Sequence, residues 1–407
     1  MFKSFKYRIY PTQSQQQLIK EHIGSTRLIY NLALECKQNA WLSNKINLSA
    51  YDLINQLPDL KEGFPWLKKV YSQSLCQAII NMEKAYKNFF TQKTGFPKKK
   101  RKDDPRQSYQ IPDGVHRIKI ENNKLYIPKF REGIKIIQHR PPQGIIKHAT
   151  IRLTPSGKYY VSLTCQINEP VKPKPPITEK TTIGIDFGIK SINDYLGTFF
   201  TTSEGVVYKI PKFLSNKLSK LKYIQSRYSR FKGKRTKRKL NKLHEKITNQ
   251  RYDFLQKIST TLIRESQSIA VEDLSIKNMI KNHNLARTIL DRGWGSFINM
   301  LKYKAEWYGK NLLYTDKFFP STKTCSNCGF INDNLSLKDR KWICPQCNTL
   351  HDRDVNAAIN IKMSSIKKNM VSGEETKIQN ELPAMAGVMT SETILNKRPL
   401  QLELWTS

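Results

Sequence analysis

Two cysteine pairs constrain this chain more than any other feature. They read Cys325-Ser-Asn-Cys328 and Cys344-Pro-Gln-Cys347, with fifteen residues between them. Four soft thiolates on two knuckles reach one tetrahedral ion, and the gap fits a zinc-ribbon hairpin. Protein fills all four ligand positions and leaves none for water, so the expected Zn²⁺ is structural. Seven cysteines is an odd number, and four belong to this module. That usage points to a reducing compartment rather than a disulfide frame. Cys36, Cys76 and Cys165 fall on apolar faces and read as core residues.

The elements around the module have a readable order. TTIGID (181–186) is a strand, followed by a hairpin from DYLGTFFTT and GVVYKI. A long basic helical pair spans 212–265 and breaks near Gly233. SIAVED (268–273) is a strand, GWGSFINMLKYKAEWYG a helix and NLLYTDKFF another strand; after the cysteines a helix begins at DVNAAINIKM. Three strands, helix, strand, helix, strand, helix is the RNase H-like order. In such a fold the first strand, the fourth strand and the last helix meet, and each carries an acid at that place: Asp186, Glu272 and Asp354. Three carboxylates together repel unless divalent cations intervene. Hard oxygen ligands favour Mg²⁺ or Mn²⁺, and paired ions activate water and stabilise the leaving oxygen in phosphodiester hydrolysis. Singly, Asp354 reads as a helix N-cap, Asp186 as a turn residue and Glu272 as a solvated strand end. Jointly, in this order, they read as catalytic. Asp352 reads as a surface or supporting neighbour, and Asp273 as a cap before Leu274.

Upstream, residues 2–10 alternate apolar and cationic side chains as a half-buried strand does. Pro11 and Thr12 open a helical stretch through Leu18, Ile23, Leu28, Leu32 and Cys36. A second stretch runs from about Pro65 to Phe90. Residues 108–168 are short alternating runs between turn signals, an antiparallel sheet or barrel closed by the proline-rich EPVKPKPPITEK. The expectation is an α/β multidomain chain. Residues 1–10 and 105–172 form a small antiparallel β-barrel and 11–104 a helical unit. An RNase H-like domain covers 173–320 and includes the basic pair 212–265. A zinc ribbon (321–350), a last helix (351–365) and a mobile tail (366–407) complete it.

Lys plus Arg number 70 against 33 Asp plus Glu, a net charge of +37. Cations in such excess gain free energy by releasing counterions from phosphates, so the expected partner is a nucleic acid. Between Lys209 and Arg251 stand sixteen Lys or Arg and one acid, Glu245. A merely solvated face mixes both signs. Lys234, Arg235, Lys237 and Arg238, at the break in the pair, are therefore assigned to phosphates, as in a channel holding a duplex. Lys98, Lys99 and Arg101 belong to an unbroken run of five cations that reads as a phosphate contact on a loop. Lys69, Gln73 and Gln77 stand at i, i+4 and i+8. Gln can pair with adenine and Lys with guanine in a major groove, but for each residue alone a plain polar helix face is the preferred reading. With no apolar run of signal-peptide or membrane-span length, the expected location is the cytoplasm, with no membrane partner.

TTIGIDFGIKS, NQRYDFLQKISTTLI, VEDLSIKNMIKN, GWGSFINMLKYKAEWYG, FFPSTKTCSNCG and HDRDVNAAINI together resemble the TnpB proteins of insertion-sequence transposons, relatives of type V CRISPR effectors. YRIYPTQSQ, FPWLKKVYSQSL and FFTQKTGFPKKK extend the resemblance to about residues 2–365. It implies an RNA-guided DNA endonuclease whose guide RNA comes from the transposon end. Such a protein recognises a short motif beside a double-stranded DNA target and cuts in a RuvC-like site. The barrel becomes the wedge domain and the helical unit the recognition domain. The family's catalytic acids fall on Asp186, Glu272 and Asp354, and its zinc ligands on the four cysteines. Tyr51, with Lys69 and Gln73, lies in the region of target-motif contacts. Two rivals stand beside this reading: an RNA-guided repressor that binds without cutting, and an RNA-independent resolvase or transposase accessory. The three intact acids oppose the first. No His-x-His with a Tyr nucleophile supports an autonomous transposase.

Overall fold

The computed structural model describes residues 1–371 apart from 93, 113, 171, 189–196, 283–285, 287–288, 291 and 337–338. It divides into two compact units, Met1–Glu169 and the chain from Pro170 onward.

The first unit joins an antiparallel sheet to a helical layer. Strands β1 (Phe2–Tyr10), β2 (Gln107–Ile111), β3 (Lys119–Glu121), β4 (Lys124–Ile127), β5 (Phe130–Ile137), β6 (Ile145–Leu153) and β7 (Tyr159–Gln166) stand in the order β2-β6-β7-β1-β5-β4-β3. Strand β1 inserts between β7 and β5, as its alternation predicts. Among the described residues β2 and β3 stand at the ends of this ladder, where the sequence suggested an antiparallel sheet or barrel. Asn122 and Asn123 both take positive φ, the two-residue turn that matches strand twist between β3 and β4. Phe5, Tyr7, Ile9, Val161, Leu163 and Cys165 fill the inner face at period two.

Helix α1 (Gln13–Asn44) starts at a capping box: Thr12 Oγ1 accepts from the Gln15 N–H, and Gln15 Oε1 accepts from the Thr12 N–H. At 32 residues it is roughly 48 Å long, enough to serve two cores. Ile19, His22 and Ile23 pack on the sheet. Ile29, Ala33 and Leu34 pack with α2 (Ala50–Asn55), α3 (Leu57–Gly63) and α4 (Ser72–Gln92). A one-turn helix, α5 (Gly114–Arg117), lies against β6. The second helical stretch starts later than its periodicity suggested. Residues Pro65–Lys69 form a 3₁₀ turn, Val70 is extended, and α4 begins at Ser72. Lys69 is therefore not on the helix that carries Gln73 and Gln77.

The second unit is built on a five-stranded sheet. Its strands are β8 (Thr182–Asp186), β9 (Thr198–Thr202), β10 (Val207–Lys209), β11 (Ser268–Val271) and β12 (Asn311–Tyr314), in the order β10-β9-β8-β11-β12. Pairs β8–β9 and β9–β10 are antiparallel, whereas β8, β11 and β12 run parallel. Helices α6 (Lys212–Phe231) and α7 (Lys234–Glu265) fill the crossover and turn at Lys232 and Gly233. Short α8 (Ile276–Met279) and then α9 (Trp294–Tyr308) lead into β12. One sheet face, with Ile183, Ile185, Ile269 and Val271, packs on Leu255 and Leu262 of α7 and Phe297 and Leu301 of α9. Lys304 of α9 is buried, and its ammonium donates to the Gln256 carbonyl, Ser259 Oγ and Thr260 Oγ1, tying α9 to α7. The hairpin β13 (Lys341–Ile343) and β14 (Leu350–Asp352) precedes α10 (Arg353–Val371), which covers the opposite face. The last helix thus continues past residue 365, with Ile366 buried. The expected tail beyond 371 lies outside the described residues, as does the start of the expected DYLG strand. Among the described residues no helix is long and apolar enough to cross a membrane.

His22 limits the acid stability of the first unit. It is fully buried, and its Nε2 accepts from the Tyr71 N–H at 3.0 Å. The ring proton must therefore sit on Nδ1, which donates to the Leu18 carbonyl at 2.8 Å. Protonating Nε2 would set two donors face to face in a dry site. Burial lowers the pKa from 6.5 to about 4. Because the folded value is depressed, the stabilisation is whole above pH 6.5 and is lost as pH falls toward 4. We expect a loss of about 3 kcal/mol by pH 4. Thermal unfolding and amide exchange of α1 across that window will measure it, and His22→Gln will flatten the response.

Candidate functional site

Strand register sets the site. Gly184 pairs with Ala270 and Ile185 with Val271, so Asp186 and Glu272 are the next residues on adjacent parallel strands. Side chains two apart share a face. Gly184 and Ala270 face α10, and so do Asp186 and Glu272 at the strand ends. A Cβ on Gly184 would lie 2.0 Å from the Ala358 carbonyl oxygen, so only glycine admits this approach of α10. Asp354 lies one turn N-terminal to Ala358 on the same helical stripe. The helix that touches β8 thereby delivers the third acid.

The electrostatics agree with that convergence. Asp186 is 8% exposed, and its pKa is raised well above the carboxylate range, first by burial, then by Glu272 and Asp354. Burial also raises Glu272, against the hydrogen bond its Oε1 accepts from Ser321 Oγ at 2.9 Å. Asp354 faces Arg340 across 3.6 Å. The plainer reading of Asp354 as a cap does not hold, because Asp352 does that work: its Oδ1 accepts from the N–H groups of Asp354 and Val355. Asp352, expected as a surface or supporting neighbour, is the N-cap of α10. A buried Asp186 whose pKa both neighbouring carboxylates raise, beside the half-buried Glu272 and Asp354, offers hard oxygen donors that fit a divalent cation. Asp186, Glu272 and Asp354 are the residues that would hold it.

The four cysteines form one cluster with all sulfurs within 4.8 Å of one another. The Cys325–Cys347 and Cys328–Cys344 separations are both 3.6 Å, close to the ~3.8 Å edge of a tetrahedron with ~2.3 Å metal–sulfur bonds. Each knuckle closes the same way. The Gly329 N–H donates to the Cys325 carbonyl and the Asn348 N–H to the Cys344 carbonyl, and both residues have positive φ. Such a cluster suits a structural metal. His351, absent from the sequence reading, is buried with Nε2 3.0 Å from Cys325 Sγ and its ring against Trp342. Two buried asparagines lock the ribbon to α10. Asn360 donates to the Ser321 and Thr324 carbonyls. Asn356 donates to the Thr324 carbonyl and accepts from the Ser326 N–H. Ser321, Arg340, His351 and both asparagines carry no spacing signature, so sequence alone did not single them out.

All the nucleic-acid candidates but the half-buried Gln77 are exposed. Tyr51 on α2 is 74% exposed. Lys69 and Gln73 are exposed, and Gln77 donates to Asn81. In the cationic loop Lys99 pairs with Glu35 and Arg101 with Asp103, and Lys100 lies over the Tyr30 ring. Lys98 is exposed. Lys234, Arg235, Lys237 and Arg238 are exposed on the first turns of α7, where the helix dipole also favours anions.

Two outcomes test this geometry. In chelator, Asp186→Asn should raise the melting temperature, by roughly 2–4 °C for each ~1 kcal/mol of relieved burial and repulsion; calorimetry with and without Mg²⁺ will read it. Asn360→Ala should release the ribbon from α10, seen as faster amide exchange over 321–326 with the sheet still protected.

Comparison with known proteins gives three matching family models: a helix-turn-helix domain at residues 1–45, one described as "Probable transposase" at 162–283, and a Cas12f1-like TNB domain at 294–361. A Streptomyces pristinaespiralis protein named "Putative RNA-guided DNA endonuclease" is 36% identical over 368 residues, 88% of each chain. InsQ of Escherichia coli K12, similarly named, is 28% identical over 88% of this chain and 91% of its own. In fold, the chain is similar to Cas12f1 from a complex with sgRNA and target DNA. That match has a TM-score of 0.52 at 13% identity and covers 89% of this chain and 98% of that one. With a relative 36% identical over 88% of each chain, and with motifs that fall on the strand ends and knuckles just described, the chain belongs to the TnpB family.

Proposed function

We propose that the protein is an RNA-guided DNA endonuclease with a single cutting centre at Asp186, Glu272 and Asp354. The observation that carries it is the convergence of three intact acids from β8, the end of β11 and the start of α10 on one end of the sheet. Strand order β10-β9-β8-β11-β12, with α10 across it, supports a RuvC-like, RNase H-related domain. The relatives' names and the likeness to Cas12f1 from a complex with sgRNA and target DNA support guide RNA and target DNA as partners; a double-stranded target and a guide drawn from the transposon end are what the family resemblance implies. The seven-stranded sheet is assigned as the wedge and the helices of the first unit as the recognition element. Tyr51, Lys69, Gln73 and Gln77 are candidates for the target-adjacent motif. Lys98, Lys99, Arg101, Lys234, Arg235, Lys237 and Arg238 are candidates for phosphates. Base pairing would select sequence while the protein reads backbone shape.

Asp186, Glu272 and Asp354 would hold Mg²⁺ or Mn²⁺, which would supply Lewis acidity and a water of lowered pKa. Asp186 provides a carboxylate fixed by burial, and Ser321 holds Glu272 in one orientation. Arg340 neutralises Asp354 at rest and offers a cation beside an incoming phosphate. Cys325, Cys328, Cys344 and Cys347 would hold a structural Zn²⁺, which would fix the ribbon that carries Arg340 and leads into α10.

Sequencing the RNA that copurifies when the gene is expressed with its native flanking DNA tests the guide. One discrete RNA running from the transposon end is expected, and a smear favours the RNA-independent nuclease. On a plasmid matching that RNA, Asp186→Ala or Glu272→Ala should lower Mg²⁺-dependent cutting by at least about 10³-fold, the scale on which lost metal-site chemistry is felt. Filter binding of RNA and target should be unchanged. A wild-type protein that binds target without cutting would instead favour the repressor.

A further inference from the structure

We infer that Phe318 is a stacking platform for one nucleobase of the DNA strand entering the acid cluster. This rests on the cutting centre proposed above and adds to it a contact with substrate. Phe318 is 89% exposed, the most exposed of the large hydrophobic residues among those described. Single apolar side chains on a surface are ordinary. This one differs in where it stands and in how firmly its loop is held.

The loop runs from β12 to the first cysteine knuckle and is pinned at both ends. On one side the Thr315 N–H donates to the Val271 carbonyl, Thr315 Oγ1 to Ser364 Oγ, and Lys368 Nζ to Asp316 Oδ1 at 2.7 Å. On the other, Ser321 donates to Glu272, and the Ser321 carbonyl accepts from Asn360. Between them the Phe319 N–H returns to the Asp316 carbonyl and the Ser321 N–H to the Phe319 carbonyl, making a tight turn. None of these contacts uses the Phe318 ring. The ring is three residues from the side chain that orients Glu272, so the two Cα atoms lie within roughly 11 Å, less than two nucleotides of extended strand. Its neighbour is a cation, Lys317, with Nζ 5.6 Å from the ring centroid. An aromatic face with an ammonium beside it matches a base and its phosphate, the pairing by which proteins hold single strands. A pinned platform loses little conformational entropy when the base arrives.

The test uses the full chain with its copurified RNA, Mg²⁺ and a matching DNA duplex at subsaturating concentration. One abasic residue is walked through the strand being cut. For the wild type, one position beside the cut should slow cleavage roughly 5- to 150-fold, the range for one stacked base. Phe318→Ala should slow the intact substrate by the same factor, and the abasic residue at that position should then cost nothing more. Phe318→Trp should keep the wild-type rate and its abasic sensitivity. With the ring already in solvent, Phe318→Ala should melt with the wild type. The inference is overturned if Phe318→Ala cuts intact DNA at the wild-type rate, or if its penalty and the abasic penalty multiply. Asp186→Ala, run alongside, separates the two readings. Cutting that survives there removes the cutting centre and the platform with it. Cutting that is lost there, with multiplying penalties, removes the platform alone.

Discussion

The parallel register of β8 and β11 is the constraint on which the second unit depends. It sets two carboxylates side by side at the end of a buried sheet, and α10 adds a third. Burial and both neighbouring carboxylates raise the pKa of Asp186, so the arrangement costs stability. The fold offsets this nearby. Gly184 lets the backbone of α10 close on β8, Ser321 donates to Glu272, and Arg340 stands across from Asp354. Stability is given up at the acids and recovered in the two hydrophobic faces of the same sheet.

The ribbon is part of that arrangement. It sits in the chain between β12 and α10, and its contacts run to the acids' supports: Ser321 to Glu272, Arg340 to Asp354, and Asp352 at the end of β14 capping α10. Asn356 and Asn360 make four hydrogen bonds to three backbone groups where helix and ribbon meet, so the join is polar and directional rather than a slip plane. A metal held by the four thiols would therefore stiffen a path ending at carboxylates.

What was legible in the sequence divides along physical lines. The ribbon could be read because metal ligands need fixed offsets, and the acids because strand ends and helix starts are marked by apolar runs. The antiparallel strands of the first unit were legible from period two. The break between Lys69 and Ser72 was not, because its cause is tertiary: Tyr71 gives its N–H to His22, 49 residues away. The same holds for α1, whose apolar stripe looks uniform although it serves two cores. The sequence offered Asp354 as a cap and Asp352 as a surface or supporting neighbour, and the helix start at Arg353 makes Asp352 the cap and frees Asp354. The extension of α10 to Val371 was missed because Ser364, Ser365, Lys367 and Lys368 dilute the apolar period around Ile366.

The order of the acids along the chain has a consequence for biosynthesis. Asp186 and Glu272 leave the ribosome well before Asp354, and α10, which carries Asp354, also supplies one whole cover of the sheet. A growing chain that has made β8, β11 and β12 still has a bare face and two of its three carboxylates. Domains fold as units once their last element emerges, so the centre forms only when the ribbon and α10 have both been translated. A product that stops before them would lack Asp354, the third of the carboxylates proposed as the cutting centre, and one cover of the sheet.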